Sequence, residues 1–263
     1  MKVAVPAGNF SGMTLRAPRL AVVFRLCTVA AVVAGVVLTA AGPATVTGLL
    51  PYFTIQSNLA YGVFAAWAAH RAWRGDVLSA ATVKGAVTLY VVITGLVYHL
   101  VLTNSASPFA VAPVQRGLPE AVGSGLLHTV VPLLAVLDWL LFDVRGRYRW
   151  RYALWWLAFP LGYLGFALIR GLVVHRYPYP FINVADLGYD GVAVSAVVFA
   201  VAFWILGLVF VLFDRVLSGR LRRTPAPTGG PGAAPTDRSG AVPADRPGAV
   251  PSGRHDSGAE VSG

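Results

Sequence analysis

The chain has 263 residues, of which 56% are hydrophobic and 12% charged, with a net charge of +10 and a mean hydropathy of +0.66. A soluble domain carries roughly twice that charged fraction, so a water-soluble enzyme is excluded and an integral membrane protein is indicated. The positive charge does not argue for nucleic acid, because the arginines sit at the ends of apolar segments, where they act as topology signals and contacts for anionic lipid. One cysteine, Cys27, leaves no disulfide framework and no thiol metal site.

Residues 1–19 are short, basic and without a clear cleavage site, which predicts a retained cytoplasmic segment ahead of the first helix. Six apolar segments long enough to span follow: Leu20–Ala41, Pro51–Ala69, Thr82–Leu102, Gly125–Phe142, Tyr152–Val173 and Val192–Phe213. The fold class is therefore all-α, a polytopic six-helix bundle over residues 20–218. From residue 219 the composition turns to Pro, Gly, Ala and Ser, with Asp237-Arg238-Ser-Gly-Ala-Val-Pro nearly repeated from Asp245. Such a stretch buries too little apolar area to offset its ordering entropy, so residues 219–263 are expected to be a disordered cytoplasmic tail.

The connections alternate in charge. Lys2, Arg16 and Arg19 precede the first helix, and Arg71, Arg74 and Lys84 mark the second connection. The fourth carries Arg145, Arg147, Arg149 and Arg151, while Arg215, Arg220, Arg222 and Arg223 follow the last helix. The first, third and fifth connections are neutral or balanced. The positive-inside rule then places both termini on the cytoplasmic side of the cell membrane.

That topology gathers the unusual polar residues at the outer ends of the helices. The second helix opens with Pro51-Tyr52-Phe53-Thr54-Ile55-Gln56-Ser57-Asn58, which sets Thr54, Ser57, Asn58 and Tyr61 on one face. The third contributes His99, the fourth His128 and Thr129, the fifth Arg170. The last outer connection runs through Tyr177-Pro178-Tyr179-Pro180-Phe181 to Asp186 and Asp190. The middle of the bundle reads as almost purely apolar. At about 1.5 Å per residue, Thr54 lies roughly 5 Å below Pro51 and His128 a similar distance below Gly125. Both sit where a lipid ester carbonyl lies.

Each group has a plainer use. A helical Thr bonds back to the i−4 carbonyl, and an intramembrane His serves as a helix–helix hydrogen-bonding group. The Gly123-Ser124-Gly125 run reads as a turn. Asp138 lies about 15 Å along the helix from His128, which suits pairing with the basic fourth connection instead.

Six helices, Thr54 near the outer start of the second, and His128-Thr129-Val130-Val131-Pro132 opening the fourth together resemble the androgen-induced family of membrane proteins. Its animal members are threonine hydrolases that cleave fatty acid esters of hydroxy fatty acids. The segments Tyr52–Asn58 and Tyr177–Phe181 are similar to its uncharacterised bacterial branch, whereas Gln56 and Ser57 depart from the animal pattern. The resemblance covers roughly residues 20–215 and implies Thr54 as nucleophile and His128 as general base. It implies a lipid-like ester from the membrane as substrate and no metal or cofactor. Asn58 or Arg170 is then the expected oxyanion donor, with Gln56, Ser57 and His99 around the pocket and Asp186 or Asp190 as outer acids. Two other classes are compatible with the residues: a transporter or channel for a small solute, and a haem-binding electron carrier with His99 and His128 as axial ligands.

Overall fold

The computed structural model describes residues 18–42, 46–76, 80–112 and 115–222, and among these every regular element is helical. The expectations for the N-terminal segment through residue 17 and for the tail beyond residue 222 lie outside the described residues. Six long helices are α1 (Pro18–Thr39), α2 (Phe53–Trp73), α3 (Ala81–Leu102), α4 (Leu118–Phe142), α5 (Trp150–Val174) and α6 (Val184–Arg222). Five of them, all but α2, are long and apolar enough to cross a membrane. Their outer faces carry exposed aliphatic residues such as Val23, Leu133, Ile169, Val173, Val194 and Val198, as a multi-pass membrane protein requires. α2 has 21 residues, but Gln56, Ser57, Asn58 and His70 lower its hydropathy. It keeps that polarity away from lipid by burying Thr54, Ser57, Asn58 and Tyr61 along one face.

Between helices in lipid, packing rather than water exclusion supplies the attraction, so small residues sit where backbones approach. α2 presents Ala65, Ala68, Ala69 and Ala72 as buried residues, and α1 packs along it. α4 begins at Leu118, seven residues before the predicted start, and Gly123-Ser124-Gly125 is helix rather than turn. The reason is tertiary: a Cβ on Gly123 would lie 2.6 Å from the Thr39 nitrogen and 2.8 Å from the Gly35 carbonyl oxygen. Backbone cannot yield as a side chain can. Gly123→Val is therefore expected to cost about 1–3 kcal/mol by overpacking the α1–α4 seam. Gly125→Ala, which meets nothing within 4 Å, should be neutral or stabilising. Thermal unfolding of the two variants in detergent measures the contrast.

Two stretches of wider π-helical turn face each other, Tyr98–Leu102 in α3 and Leu126–Val130 in α4. The second has a local cause. Pro132 lacks the N–H that would bond the carbonyl of His128, and its ring crowds that carbonyl, so the turn before it widens. α3 comes closest here, since a Cβ on Gly95 would lie 2.9 Å from the His128 carbonyl oxygen. Such π turns re-aim side chains and recur at functional sites.

A buried charge network not assembled from sequence lies toward the N-terminal ends of α1 and α3 and the C-terminal end of α4. Arg25, Lys84 and Asp138 are all buried. Arg25 Nε donates to Asp138 Oδ1 at 2.9 Å and Arg25 Nη1 to the Ala68 carbonyl at 3.1 Å, while Lys84 Nζ bonds Asp138 and reaches Asp143 at 2.7 Å. Asp138 thus pairs with α1 and α3, not with the arginines of the fourth connection. Only a fully compensated set of charges can persist there, because each ion left alone would cost several kcal/mol, on the order of the desolvation penalty.

α6 begins with a short segment set off by Gly188, whose φ of 67° and ψ of 173° no residue with a side chain adopts readily. Beyond it α6 runs continuously. Its inner half packs tightly on α5, where a Cβ on Gly207 would lie 3.2 Å from Ala153.

Candidate active site at one end of the bundle

α2 starts after Tyr52, so Thr54 falls in the first turn, where its backbone N–H has no intrahelical acceptor. That N–H donates to the Tyr179 hydroxyl oxygen at 3.3 Å. Tyr179 comes from the Tyr-Pro-Tyr-Pro-Phe strap that links α5 to α6. The strap leaves α5 through His175 in the left-handed region, φ 52°. Tyr177 packs flat against Gly171, where no side chain fits, and the Tyr179 ring stacks on Phe181 at 5.2 Å. Pro178 and Pro180 stiffen the backbone on either side of Tyr179.

Thr54 and His128 meet: Oγ1 lies 3.3 Å from Nε2. The Tyr179 hydroxyl is also 3.3 Å from Thr54 Oγ1. On the other side of the imidazole, Nδ1 lies 2.9 Å from the Ser124 carbonyl oxygen. A carbonyl only accepts, so in the neutral ring the proton belongs on Nδ1 and Nε2 turns its lone pair to Thr54. The Ser124 hydroxyl approaches the same nitrogen at 3.3 Å and the Tyr98 hydroxyl at 3.5 Å. The Tyr98 ring covers the imidazole face at 4.0 Å and 23°, and its hydroxyl accepts from Arg116 at 3.1 Å. The imidazole is thereby fixed in tautomer by a backbone carbonyl and in orientation by a stacked ring.

The donor roles close without conflict. Thr54 O–H donates to His128, Tyr179 O–H donates to Thr54 Oγ1, and Tyr179 oxygen accepts from the Thr54 N–H. Burial pushes the Tyr179 phenol above its ordinary pKa, with its bonds to Thr54 opposing that rise, so it remains a neutral donor. The three side chains line a cavity of about 80 Å³ that is otherwise almost wholly apolar.

Other residues expected at the site are engaged elsewhere. Asn58 is fully buried and gives its Nδ2 to the Thr54 carbonyl at 2.8 Å and the Leu127 carbonyl at 3.3 Å. It ties α2 to α4 behind the pair and does not line the cavity. Ser57 bonds the Thr54 carbonyl at 3.2 Å and Thr94 Oγ1 at 2.9 Å. Gln56 donates to the Leu50 carbonyl at 3.0 Å and caps the connection before α2. Arg170 donates to the Arg176 carbonyl at 3.0 Å, holding the start of the strap. Asp186 pairs with Asn183, and Asp190 is exposed. His99 Nε2 lies 2.9 Å from Thr129 Oγ1 on an exposed surface and does not line the cavity that His128 lines. Tyr98 was not singled out from sequence; Tyr179 was named only as part of the Tyr-Pro-Tyr-Pro-Phe run and Ser124 only as part of a turn. The Ser124 carbonyl had a local signal, the i, i+4 spacing to His128 on a helix.

No protein-family model matches this chain, and neither a curated protein nor a solved structure is significantly similar to it.

Proposed function

We propose that the protein is a membrane-embedded hydrolase of lipid esters, with Thr54 as nucleophile and His128 as general base. The observation that carries this is the 3.3 Å contact from Thr54 Oγ1 to an imidazole nitrogen whose partner nitrogen is held by a carbonyl. A threonine hydroxyl is a weak nucleophile until a positioned base takes its proton. Attack on an acyl carbon forms the Oγ1–C bond, sends the proton to Nε2 and places the electron pair on the former carbonyl oxygen. Imidazolium is then stabilised by the Ser124 carbonyl at Nδ1 and by the Tyr98 ring over its face. Once Thr54 has lost its own proton, the Tyr179 O–H is free to turn to the oxyanion, the role expected of Asn58 or Arg170. Collapse breaks the ester C–O bond and the alcohol leaves with the proton from Nε2. Water then repeats the cycle on the acyl-threonine, releasing the acid.

The apolar lining suits an ester with a hydrocarbon chain. We further infer that α2 completes a six-span bundle with both termini cytoplasmic, on the alternation of charged and neutral connections. Reporter fusions at Arg74, Gly146 and Gly219 should all read as cytoplasmic, and an external signal at any one refutes this orientation.

The direct test of the site is covalent. A fluorophosphonate probe should label the purified protein with loss of fluoride, and peptide mapping should place the adduct on Thr54. Labelling that survives in Thr54→Ala overturns the assignment.

A further inference from the structure

The cavity that holds Thr54 and His128 continues away from them between α3, α5 and α6. Along α6 its wall is formed by Ala196, Phe199, Ala200 and Phe203, a descent of about 10 Å. On α5 it reaches as far as Leu157. Beyond Thr94 and the catalytic end this wall offers no hydrogen-bonding side chain. α5 and α6 are in close contact at Ala153 and Gly207, at their inner ends. Along Ala158–Val174 their contact thins, so the two helices part where the cavity lies. Phe109, in the connection after α3, stands 6.0 Å from Phe181 and 6.5 Å from Phe199 by ring centroid and packs against the outer part of the wall. Between α5 and α6, Leu161 lines the cavity and is still 50% exposed, which marks the open side. That side faces the apolar girdle, not the ends of the bundle.

We propose that this groove takes the acyl chain of the ester, which enters sideways between α5 and α6, and that Ala196 and Ala200 determine how much of the chain is accepted. The proposal rests on the hydrolase reading of Thr54 and His128. The groove begins at Thr54 Oγ1, so a chain lying in it presents its carbonyl carbon to the nucleophile. The chain that stays attached through the second step is the acyl chain, and a sheathed groove holds it while the alcohol departs. Two alanines alternating with two phenylalanines supply the width. A larger residue at either fills it.

The experiment compares nitrophenyl acetate with nitrophenyl decanoate, which differ only in the acyl chain, and adds decyl acetate, in which the long chain is the alcohol. Wild type should favour the decanoate. Ala200→Phe should lower kcat/KM for the decanoate at least about tenfold and leave the acetate within about twofold. Decyl acetate should follow the short ester. Equal losses on acetate and decanoate, or a loss confined to decyl acetate, overturn the assignment of the groove. Ala200→Val, a smaller intrusion, should shift the preferred chain length downward and covers the case in which Ala200→Phe does not fold. A second measurement needs no turnover: Thr54→Ala protein is titrated with cis-parinaric acid and its fluorescence followed. Binding in Thr54→Ala that is lost in Thr54→Ala/Ala200→Phe supports the groove, and binding that is unchanged sinks it. Should Thr54→Ala hydrolyse both nitrophenyl esters as fast as wild type, the hydrolase reading fails by itself, and the parinaric acid titration still decides the groove.

Discussion

Thr54→Ala is expected to reduce kcat/KM for a long-chain ester by at least about 10³-fold, and His128→Ala by a similar factor. The double variant should be no worse than either single one. In the proposed hydrolysis nucleophile and base act as a unit, so removing the second partner takes away nothing that the first loss left working. Thr54→Ser keeps the hydroxyl 3.3 Å from Nε2 and should retain part of the activity. Thr54→Val keeps the shape and should retain none. Tyr179→Phe separates the oxyanion role from the folding role of the strap. It deletes the O–H that bonds Thr54 but keeps the ring stacked on Phe181. It should lower kcat by about 10²–10³-fold, the usual effect of losing one oxyanion donor, with little change in KM. Steady-state kinetics on these six variants and wild type in one detergent decides this. Full activity in Thr54→Ala ends the proposal. Full activity in Tyr179→Phe moves the oxyanion donor elsewhere.

The largest effect on stability is expected at the opposite end. Asp138 accepts from both Arg25 and Lys84 with 2% of its side chain exposed. Asp138→Leu would leave two buried cations with only Asp143 between them, and should cost about 3–5 kcal/mol. Asp138→Asn keeps the shape and one acceptor and should cost less. The sharper comparison is Arg25→Met/Lys84→Met/Asp138→Leu/Asp143→Asn. Removing all four charges abolishes the desolvation penalty along with the attraction, so the quadruple variant should be more stable than Asp138→Leu alone. Thermal unfolding in detergent gives the order. If Asp138→Leu unfolds at the wild-type temperature, the network contributes nothing measurable to the fold.

The all-helical class and five of the six expected spans were legible in the chain because those apolar runs are long; α2 is a helix where one was expected, but its polar residues keep it from reading as a span by composition. Boundaries were less so. The early start of α4 and the helical Gly123-Ser124-Gly125 depend on α1 lying against them, and no local propensity announces a neighbour. Thr54 and His128 were expected to face each other on two grounds, their similar depth below one interface and the positions implied by the family resemblance; depth can be counted along a helix, whereas which helices are neighbours cannot. Asn58 was placed wrongly for an equally physical reason. The i+4 spacing puts its amide under the Thr54 carbonyl, and the free carbonyl of Leu127 in the wider turn of α4 gives it a second acceptor.

Composition and periodicity by themselves determined that this chain is a bundle of apolar helices with its polar side chains concentrated toward one end. Counting depth along the helices set Thr54 and His128 near the same interface, and the family resemblance, not composition or periodicity, named them as a pair. The tertiary structure alone decided the partners: the Ser124 carbonyl at Nδ1, the Tyr98 ring over the imidazole, Tyr179 at Thr54, and Arg25 and Lys84 at Asp138. Each contact joins residues on different elements or depends on a turn widened by Pro132. Depth along a helix can be counted from sequence, but the rotation of one helix against another is set by the side chains that pack between them.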